Sequence, residues 1–275
     1  MWDTIQRNAI KSWLQLEPKC EVILFGDETG ISDVASELAI VQIPEIDKNE
    51  CGTPLLDCAF QKAQEIATSE DICYINTDII LLSSFSKAIS YNNFNKYLII
   101  GQRIDLDIFD EIHFDPDRMW ETRLLNNIRH EGNFHGFWGI DYFIFPKGLL
   151  KSLPPFAVGR AGWDNWMIYH VKKEMNVPVI DASKIIVAIH QNHDYSHVPL
   201  QKGRKYEGFE SDRNFAYIGR KDHSYNILDA NFILTEKGVK KNPITLRYLR
   251  QVFIDRPAAS PFGQKIDKFR DILSK

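Results

Sequence analysis

The chain has 275 residues, a length that suits one large domain or two small ones. Its composition, with 44% hydrophobic and 25% charged residues, argues against disordered, collagen-like and coiled-coil proteins. No apolar run approaches the roughly 18–20 residues that cross a bilayer, and the first residues lack the apolar core of a secretory signal. These features predict a cytoplasmic protein without a transmembrane segment.

The net charge of −4 conceals an uneven distribution of charge along the chain. Residues 1–200 hold 17 Lys and Arg against 28 Asp and Glu, whereas residues 201–275 hold 16 against 9. A basic tail can be a solvated segment docked on its own body, or it can contact an anionic surface such as a membrane. We therefore expect residues 201–275 to form a basic extension packed on the preceding domain, with peripheral membrane contact as one role.

Helices and strands alternate through the first hundred residues. In chain order the apolar spacing predicts a helix over 4–16, a strand over 21–25, a short helix near 31–37, a strand over 39–43, a helix over 54–68 started by Thr53 and Pro54, and strands over 72–75 and 97–101. The pattern then loosens, with a helix near 117–130, a strand over 141–145, a helix over 163–175, short strands within 177–189, and helices near 244–254 and 262–274 in a loop-rich end. This alternation predicts an α/β fold with a mostly parallel sheet flanked by helices.

Polar residues follow several of the predicted strands. In a parallel α/β sheet, ligands bind beyond the carboxyl ends of the strands. Asp27, Asp78 and Arg103 each come shortly after a strand. Asp78 stands between apolar residues, where an unpaired carboxylate is costly to bury, so a divalent cation could stabilise it. The alternative is that Asp78 caps the helix expected near Ser83 or ends a turn.

Seven segments within residues 5–200 together resemble, in order and spacing, bacterial GT-A-fold glycosyltransferases near family 2. They are IQRNAIKSW (5–13), EVILFGD (21–27), GTPL (52–55), YINTDIIL (74–81), GIDYFIFP (139–146), GWDNW (162–166) and HQNHDY (190–195). The resemblance implies a GT-A-like (Rossmann-like) domain over 1–200, with a nucleotide-sugar half over about 1–105 and an acceptor half over about 106–200. It implies transfer of a sugar from a nucleotide sugar, with the UDP type favoured, to a hydroxyl acceptor such as a glycan or glycolipid.

The resemblance also assigns donor-binding residues. The segment 76–78 takes the place of the DxD motif, which holds a divalent metal and the donor diphosphate. Asn76 replaces the first acid, so Asp78 is the expected ligand of Mn²⁺ or Mg²⁺, and strict metal dependence is an open question. Asn76 could still bind a ribose or the metal through its amide. Asp27 is similar to the acid that contacts the uracil or ribose, although it could also be a simple turn carboxylate. Arg103 is the fourth donor-binding candidate.

Asp164 is the candidate catalytic residue of the resemblance. An inverting transfer, which we expect here, needs a general base that deprotonates the acceptor hydroxyl. Asp164 could instead only cap the helix that starts beside it. Trp138, Trp163 and Asp141 are the candidate sugar or acceptor contacts.

Three histidines follow the last strand of the predicted domain. By resemblance, His190 or His193 completes the metal shell with Asp78. The alternatives are a set of solvent-facing or hydrogen-bonding histidines, which could include His197, and, least favoured, a zinc site of three histidines.

Other classes fit the sequence less well. It has no P-loop, GxGxxG or GxSxG motif, and we expect no nucleic-acid partner. The second hypothesis is a degenerate, non-catalytic protein that binds nucleotide sugars or carbohydrates, which the Asn76 substitution favours mildly.

One strand of the resembled fold has no counterpart in the sequence. That strand precedes the helix containing Ile5, where only three residues stand here. A strand needs about five residues, so we expect upstream residues, the extension or a second chain to close the gap. The last of these would make the protein an oligomer.

Overall fold

The computed structural model describes residues 2–193 and 208–252. The helices are α1 (Trp2–Leu14), α2 (Ile31–Leu38), α3 (Leu56–Ile66), α4 (Ser84–Ser90), α5 (Met119–Glu131), α6 (Trp163–Tyr169), α7 (Phe209–Ile218) and α8 (Leu246–Arg250). The strands are β1 (Ile23–Phe25), β2 (Val41–Ile43), β3 (Asp71–Ile75), β4 (Ile79–Leu81), β5 (Leu98–Ile100), β6 (Ile104–Leu106), β7 (Asn133–Phe134), β8 (Tyr142–Pro146), β9 (Val179–Asp181), β10 (Ala188–Gln191), β11 (Phe232–Thr235) and β12 (Gly238–Lys241). A π-helical turn over His170–Glu174 continues α6. The predicted helix over 262–274 and the residue His197 lie outside the described part.

The expected α/β fold is confirmed, but the prediction of a mostly parallel sheet is wrong. The strands form three sheets with the orders β12-β11-β9-β5-β8-β3, β4-β10-β6-β7 and β1-β2. Five of the nine strand pairings are antiparallel, including both pairings of β8. The sequence prediction assumed helical crossovers throughout, whereas β8 inserts in the opposite direction between β3 and β5.

The six-stranded sheet separates two apolar cores. In β5, Leu98 and Ile100 pack into one cluster while Ile99 packs into the other. β8 alternates in the same way, with Phe143 on the first side and Ile144 on the second. Alternate side chains of a strand point to opposite faces, so the continuous apolar runs reflect burial of both faces. This double burial fixes the strands that carry the site.

The four-stranded sheet carries two polar residues of the candidate site, His190 on β10 and Asp105 on β6. The apolar run after Asp78 forms β4, which the sequence prediction had not identified as a strand. β4 pairs antiparallel with β10, and β10 pairs parallel with β6. Trp13 of α1 donates its indole N–H to the carbonyl of Ile79 at 2.9 Å, which fixes α1 against β4. Segments that are far apart in the chain therefore meet along β10.

The helix prediction at residue 54 needs a correction. Thr53 and Pro54 do not start the helix, because α3 begins at Leu56 with Leu55 at the N-cap position. Leu55 forms an isolated bridge with Ala157, which holds the preceding residues extended.

Residues 208–252 add two strands and two α-helices to the rest of the protein. β11 pairs parallel with β9 and antiparallel with β12, and Leu234 of β11 is fully buried. α7 packs near α6, where the Asn214 side chain bonds to both backbone groups of Ala157. Within the described residues, no helix combines the length and apolar character needed to cross a membrane.

Two neighbouring strands keep unpaired edges. Among the described residues, β1 pairs only with β2 and β3 pairs only with β8. One carboxylate oxygen of Glu21, just before β1, accepts hydrogen bonds from the backbone and hydroxyl of Thr68, just before β3, at 3.0 and 3.2 Å. Residues of both strands also pack against one apolar cluster. The expectation that another segment closes a gap in the sheet stays a prediction. The unpaired edges of β1 and β3 are where such a segment would pair.

Candidate metal centre and active site

Asp78, His190 and His193 form a compact cluster at the start of β4 and the end of β10. Asp78 Oδ2 lies 3.1 Å from His193 Nε2 and 3.5 Å from His190 Nε2. The three potential ligand atoms all lie within 4.8 Å of one another. The antiparallel register, which sets His190 opposite Ile79, brings the histidines to an aspartate more than 100 residues away.

The electrostatics of Asp78 favour its ionised form. Burial opposes ionisation, but hydrogen bonds and positive charge from His190 and His193 hold the pKa of this carboxyl well below its usual range. The other carboxylate oxygen, Oδ1, is buried and has no hydrogen-bond partner among the described residues. Such an orphaned oxygen is costly unless something satisfies it.

The cluster fits a divalent cation. One carboxylate and two imidazoles supply three ligands, and a cation there would also satisfy Asp78 Oδ1. Imidazole nitrogen suits transition-metal ions such as Zn²⁺ and Fe²⁺, whereas Mg²⁺ prefers a shell of oxygens. The two histidines therefore favour a transition-metal ion over Mg²⁺.

A second polar group surrounds Asp141, directly before β8. Asn76 donates its amide N–H to Asp141 Oδ1 at 2.8 Å, and Arg103 Nη1 lies 2.9 Å from Asp141 Oδ2. Arg103 Nε also contacts Asp105 Oδ1 at 2.9 Å. Arg103 and Asp141 are both buried. Arg103 therefore supports two carboxylates from inside the protein.

Asp164 lies in the first turn of α6. The helix N-cap is Gly162, and no side chain makes a capping hydrogen bond. Asp164 is only partly accessible. Burial, followed by the negative charge of Asp141, raises the pKa of Asp164 to about 7, although backbone hydrogen bonds act in the opposite direction. A half-buried carboxyl with a pKa near neutrality has the protonation behaviour that a general base needs.

The Tyr74 hydroxyl lies within the electrostatic influence of three candidate carboxylates. Burial raises the pKa of its hydroxyl, and the negative charges of Asp141, Asp78 and Asp164 raise it further. Its ring also packs edge-on against Trp163 with a centroid distance of 5.1 Å. Three candidate carboxylates from separate parts of the sequence thus lie around one tyrosine.

The remaining sequence candidates lie in different surroundings. Asp27 is exposed at the end of β1 and forms an ion pair with Lys48, whose hydrogen bond lowers the pKa of Asp27. Trp163 is buried and also contacts Phe143, whereas Trp138 is 48% exposed. Of the two tryptophans, Trp138 is therefore the one whose side chain a sugar can reach.

Three further residues lie beside the cluster. Trp2 is not among the sequence candidates, whereas Asp105 is one of the polar residues that follow a predicted strand and His135 falls in a stretch expected to line an acceptor loop. Trp2 of α1 packs against His193 with a ring-centroid distance of 4.2 Å. Asp105 Oδ2 lies 2.8 Å from His135 Nδ1. Burial opposes ionisation of Asp105, but the hydrogen bond from His135 and the nearby positive charges keep its pKa lowered. Asp105 does follow a predicted strand, but its contact with the histidine strand depends on a pairing that local patterns do not reveal.

Comparison with known proteins provides no family for this chain. No protein-family model matches it, and no curated protein matches it either. Its function is therefore inferred from the site geometry and from the motif resemblance.

Proposed function

We propose that this protein is a metal-assisted glycosyltransferase. It would move a sugar from a nucleotide sugar, with the UDP type favoured, to a hydroxyl of a glycan or glycolipid, with inversion at the anomeric carbon. The observation that carries the proposal is the three-ligand cluster of Asp78, His190 and His193, and the pKa of about 7 at Asp164 supports it.

Asp78, His190 and His193 would hold Mn²⁺ in this proposal. When bound, the cation supplies positive charge that stabilises the diphosphate leaving group. Asp27, at the carboxyl end of β1, is the proposed contact for the base or ribose of the donor. Either the ion pair between Asp27 and Lys48 would have to open, or Lys48 would have to contact the donor as well.

Asp164 would accept the proton of the attacking hydroxyl, since its raised pKa suits proton transfer near neutral pH. Asp141 would bind a sugar hydroxyl while Arg103 and Asn76 hold its carboxylate in place. The exposed Trp138 would stack against a sugar ring.

A degenerate binding protein is the second candidate. The observation that favours it is that the Asn76 amide donates to Asp141, so the site lacks the first acid of the DxD motif. Slow hydrolysis of a sugar nucleotide separates the two candidates. The enzyme releases free nucleotide in the presence of Mn²⁺, whereas the binder retains its ligand unchanged.

A thermal-shift panel of UDP-, GDP- and TDP-sugars, each with and without Mn²⁺, tests the proposal. A ligand whose free concentration is a hundred times its Kd stabilises the native state by about 2.7 kcal/mol. For a domain of this size that raises the melting temperature by roughly 5–10 °C. We expect such a shift for one nucleotide class, in the presence of Mn²⁺. The absence of a shift with every nucleotide would contradict the proposal.

A further inference from the structure

Asp105 lies on the opposite side of the His190 ring from Asp78. In the parallel pairing of β6 with β10, His190 is in register with Asp105. Residues in register on neighbouring strands present their side chains on the same face of the sheet. His190 Nε2 lies 3.5 Å from Asp78 Oδ2, and Nδ1 lies 3.2 Å from Asp105 Oδ1. Two carboxylates therefore hold the ring between them.

We infer that Asp105 is a positioning residue for the metal centre. After a small rotation of the ring it would accept the Nδ1–H of His190, which would leave the Nε2 lone pair directed toward a cation shared with Asp78. A carboxylate behind a ligating imidazole fixes the tautomer and the orientation of the ring and raises its basicity as a ligand. This role rests on the proposed metal site.

The burial of His190 strengthens the inference. The residue is 4% exposed, so water has little access to its ring. Among the described residues, no acceptor makes a hydrogen bond of good geometry to Nδ1. Asp105 Oδ1 is the acceptor at 3.2 Å, and a small rotation of the ring would complete the bond.

Asp105 is itself held in place from two further directions. Arg103 Nε contacts Oδ1 at 2.9 Å, and His135 Nδ1 contacts Oδ2 at 2.8 Å. Because Asp105 and His190 lie on paired strands, the strands rather than a flexible loop fix their separation. Asp105 also connects the metal cluster to Asp141 through Arg103.

Mn²⁺ binding to the full chain without nucleotide tests this role. Calorimetric titration would compare wild type with Asp105→Ala and Asp105→Asn. We expect Asp105→Ala to weaken Mn²⁺ affinity roughly 10- to 100-fold, the usual scale for a lost partner behind a ligand. Asp105→Asn should lose less, since an amide oxygen can still accept from Nδ1 without carrying charge.

One control variant and the metal-free melting temperature separate positioning from general disruption. Asp110→Asn removes one exposed charge a few residues away and should bind Mn²⁺ like wild type. The melting temperature without metal should change little in Asp105→Asn, while its increase on adding Mn²⁺ should be smaller than in wild type.

The outcomes distinguish this inference from the proposed function. If wild type fails to bind Mn²⁺, the proposed metal site itself is wrong. If wild type binds and both Asp105 variants bind equally well, the metal site stands and the positioning role is overturned. If Asp105→Ala fails to fold, Asp105→Asn decides, and wild-type affinity in that variant overturns the inference.

Discussion

Asp164 combines two properties that suit a general base, a raised pKa and partial exposure to solvent. Replacing Asp164 with Asn keeps the shape and removes the proton acceptor. We predict that turnover falls by roughly 10²–10⁴-fold with little change in donor affinity. Activity of wild type should rise with pH as the carboxyl ionises near pH 7. Steady-state kinetics with calorimetric donor binding would check this. An unchanged rate would remove Asp164 from the chemistry, and an equal loss of donor binding would place it at the nucleotide.

The raised pKa of Asp164 also has a consequence for stability. The folded-state pKa of about 7 lies above the ordinary value of 3.8, so the folded protein binds the proton more tightly than the unfolded chain. Stabilisation by the protonated carboxyl is complete below about pH 4 and is lost as pH rises through 7. We therefore predict that Asp164→Asn is more stable than wild type at pH 8, by up to roughly 4 kcal/mol, and nearly equal at pH 4. Denaturant unfolding at both pH values tests this, and an equal difference at both would contradict it.

Individual residues were predictable where local sequence carried the signal. Asp78 stands out as an acid inside an apolar run, and the histidines follow a strand, so the motif resemblance could name all three. The sequence places Asp105 after a predicted strand, but its contact with His190 is not predictable because it depends on the register between β6 and β10. The burial of Trp163 was likewise not predictable, since local sequence does not distinguish a tryptophan that stacks on a sugar from one that packs in the core.

At the scale of elements, periodicity located many strands but not their directions. The run of apolar residues over 79–82 is not among the predicted strands, yet it forms β4, which directly follows Asp78 of the candidate cluster. The strand β8 was identified, but its antiparallel insertion was not. Strand direction depends on which distant segments pair, and pairing is set by the shared cores rather than by local spacing.

The unpaired edge of β3 leads to a prediction about hydrogen exchange. Lys147 N–H bonds to Glu70 and Asn76 N–H bonds to Asp141, so even-numbered residues of β3 bond to β8. The amide of Cys73 therefore points toward β1, whereas that of Tyr74 points toward β8. If this edge is open, Cys73 should exchange at least about tenfold faster than Tyr74, its control in the same strand. Equal protection would contradict an open edge and would support the closing segment expected from the sequence.

At the scale of the whole molecule, residues 208–252 share structure with the rest. β11 covers an edge of β9, and the buried Leu234 contributes to the core beneath it. We predict that Leu234→Ala costs about 2–5 kcal/mol of unfolding free energy, as for other buried leucines. Ile244→Ala, at a residue 74% exposed, is the control and should cost little. Denaturant unfolding compares them, and equal stability would contradict a structural role for this region.

Truncation tests the extension more severely. A fragment of residues 1–200 lacks β11 and would leave an edge of β9 unpaired. We expect it to precipitate or to melt well below the full chain. A well-behaved, fully active 1–200 fragment would contradict this expectation and would make the basic segment dispensable.

The most direct test of the proposed metal-dependent chemistry is calorimetric binding of UDP with and without Mn²⁺ to wild type and Asp78→Asn. The variant keeps the shape of the side chain and removes the charge, and Asp110→Asn serves as the exposed control. The account predicts tight binding to wild type and to the control with Mn²⁺ present, and loss of that metal-dependent binding in Asp78→Asn. UDP binding that is equal with and without Mn²⁺, or equal in wild type and Asp78→Asn, would contradict it.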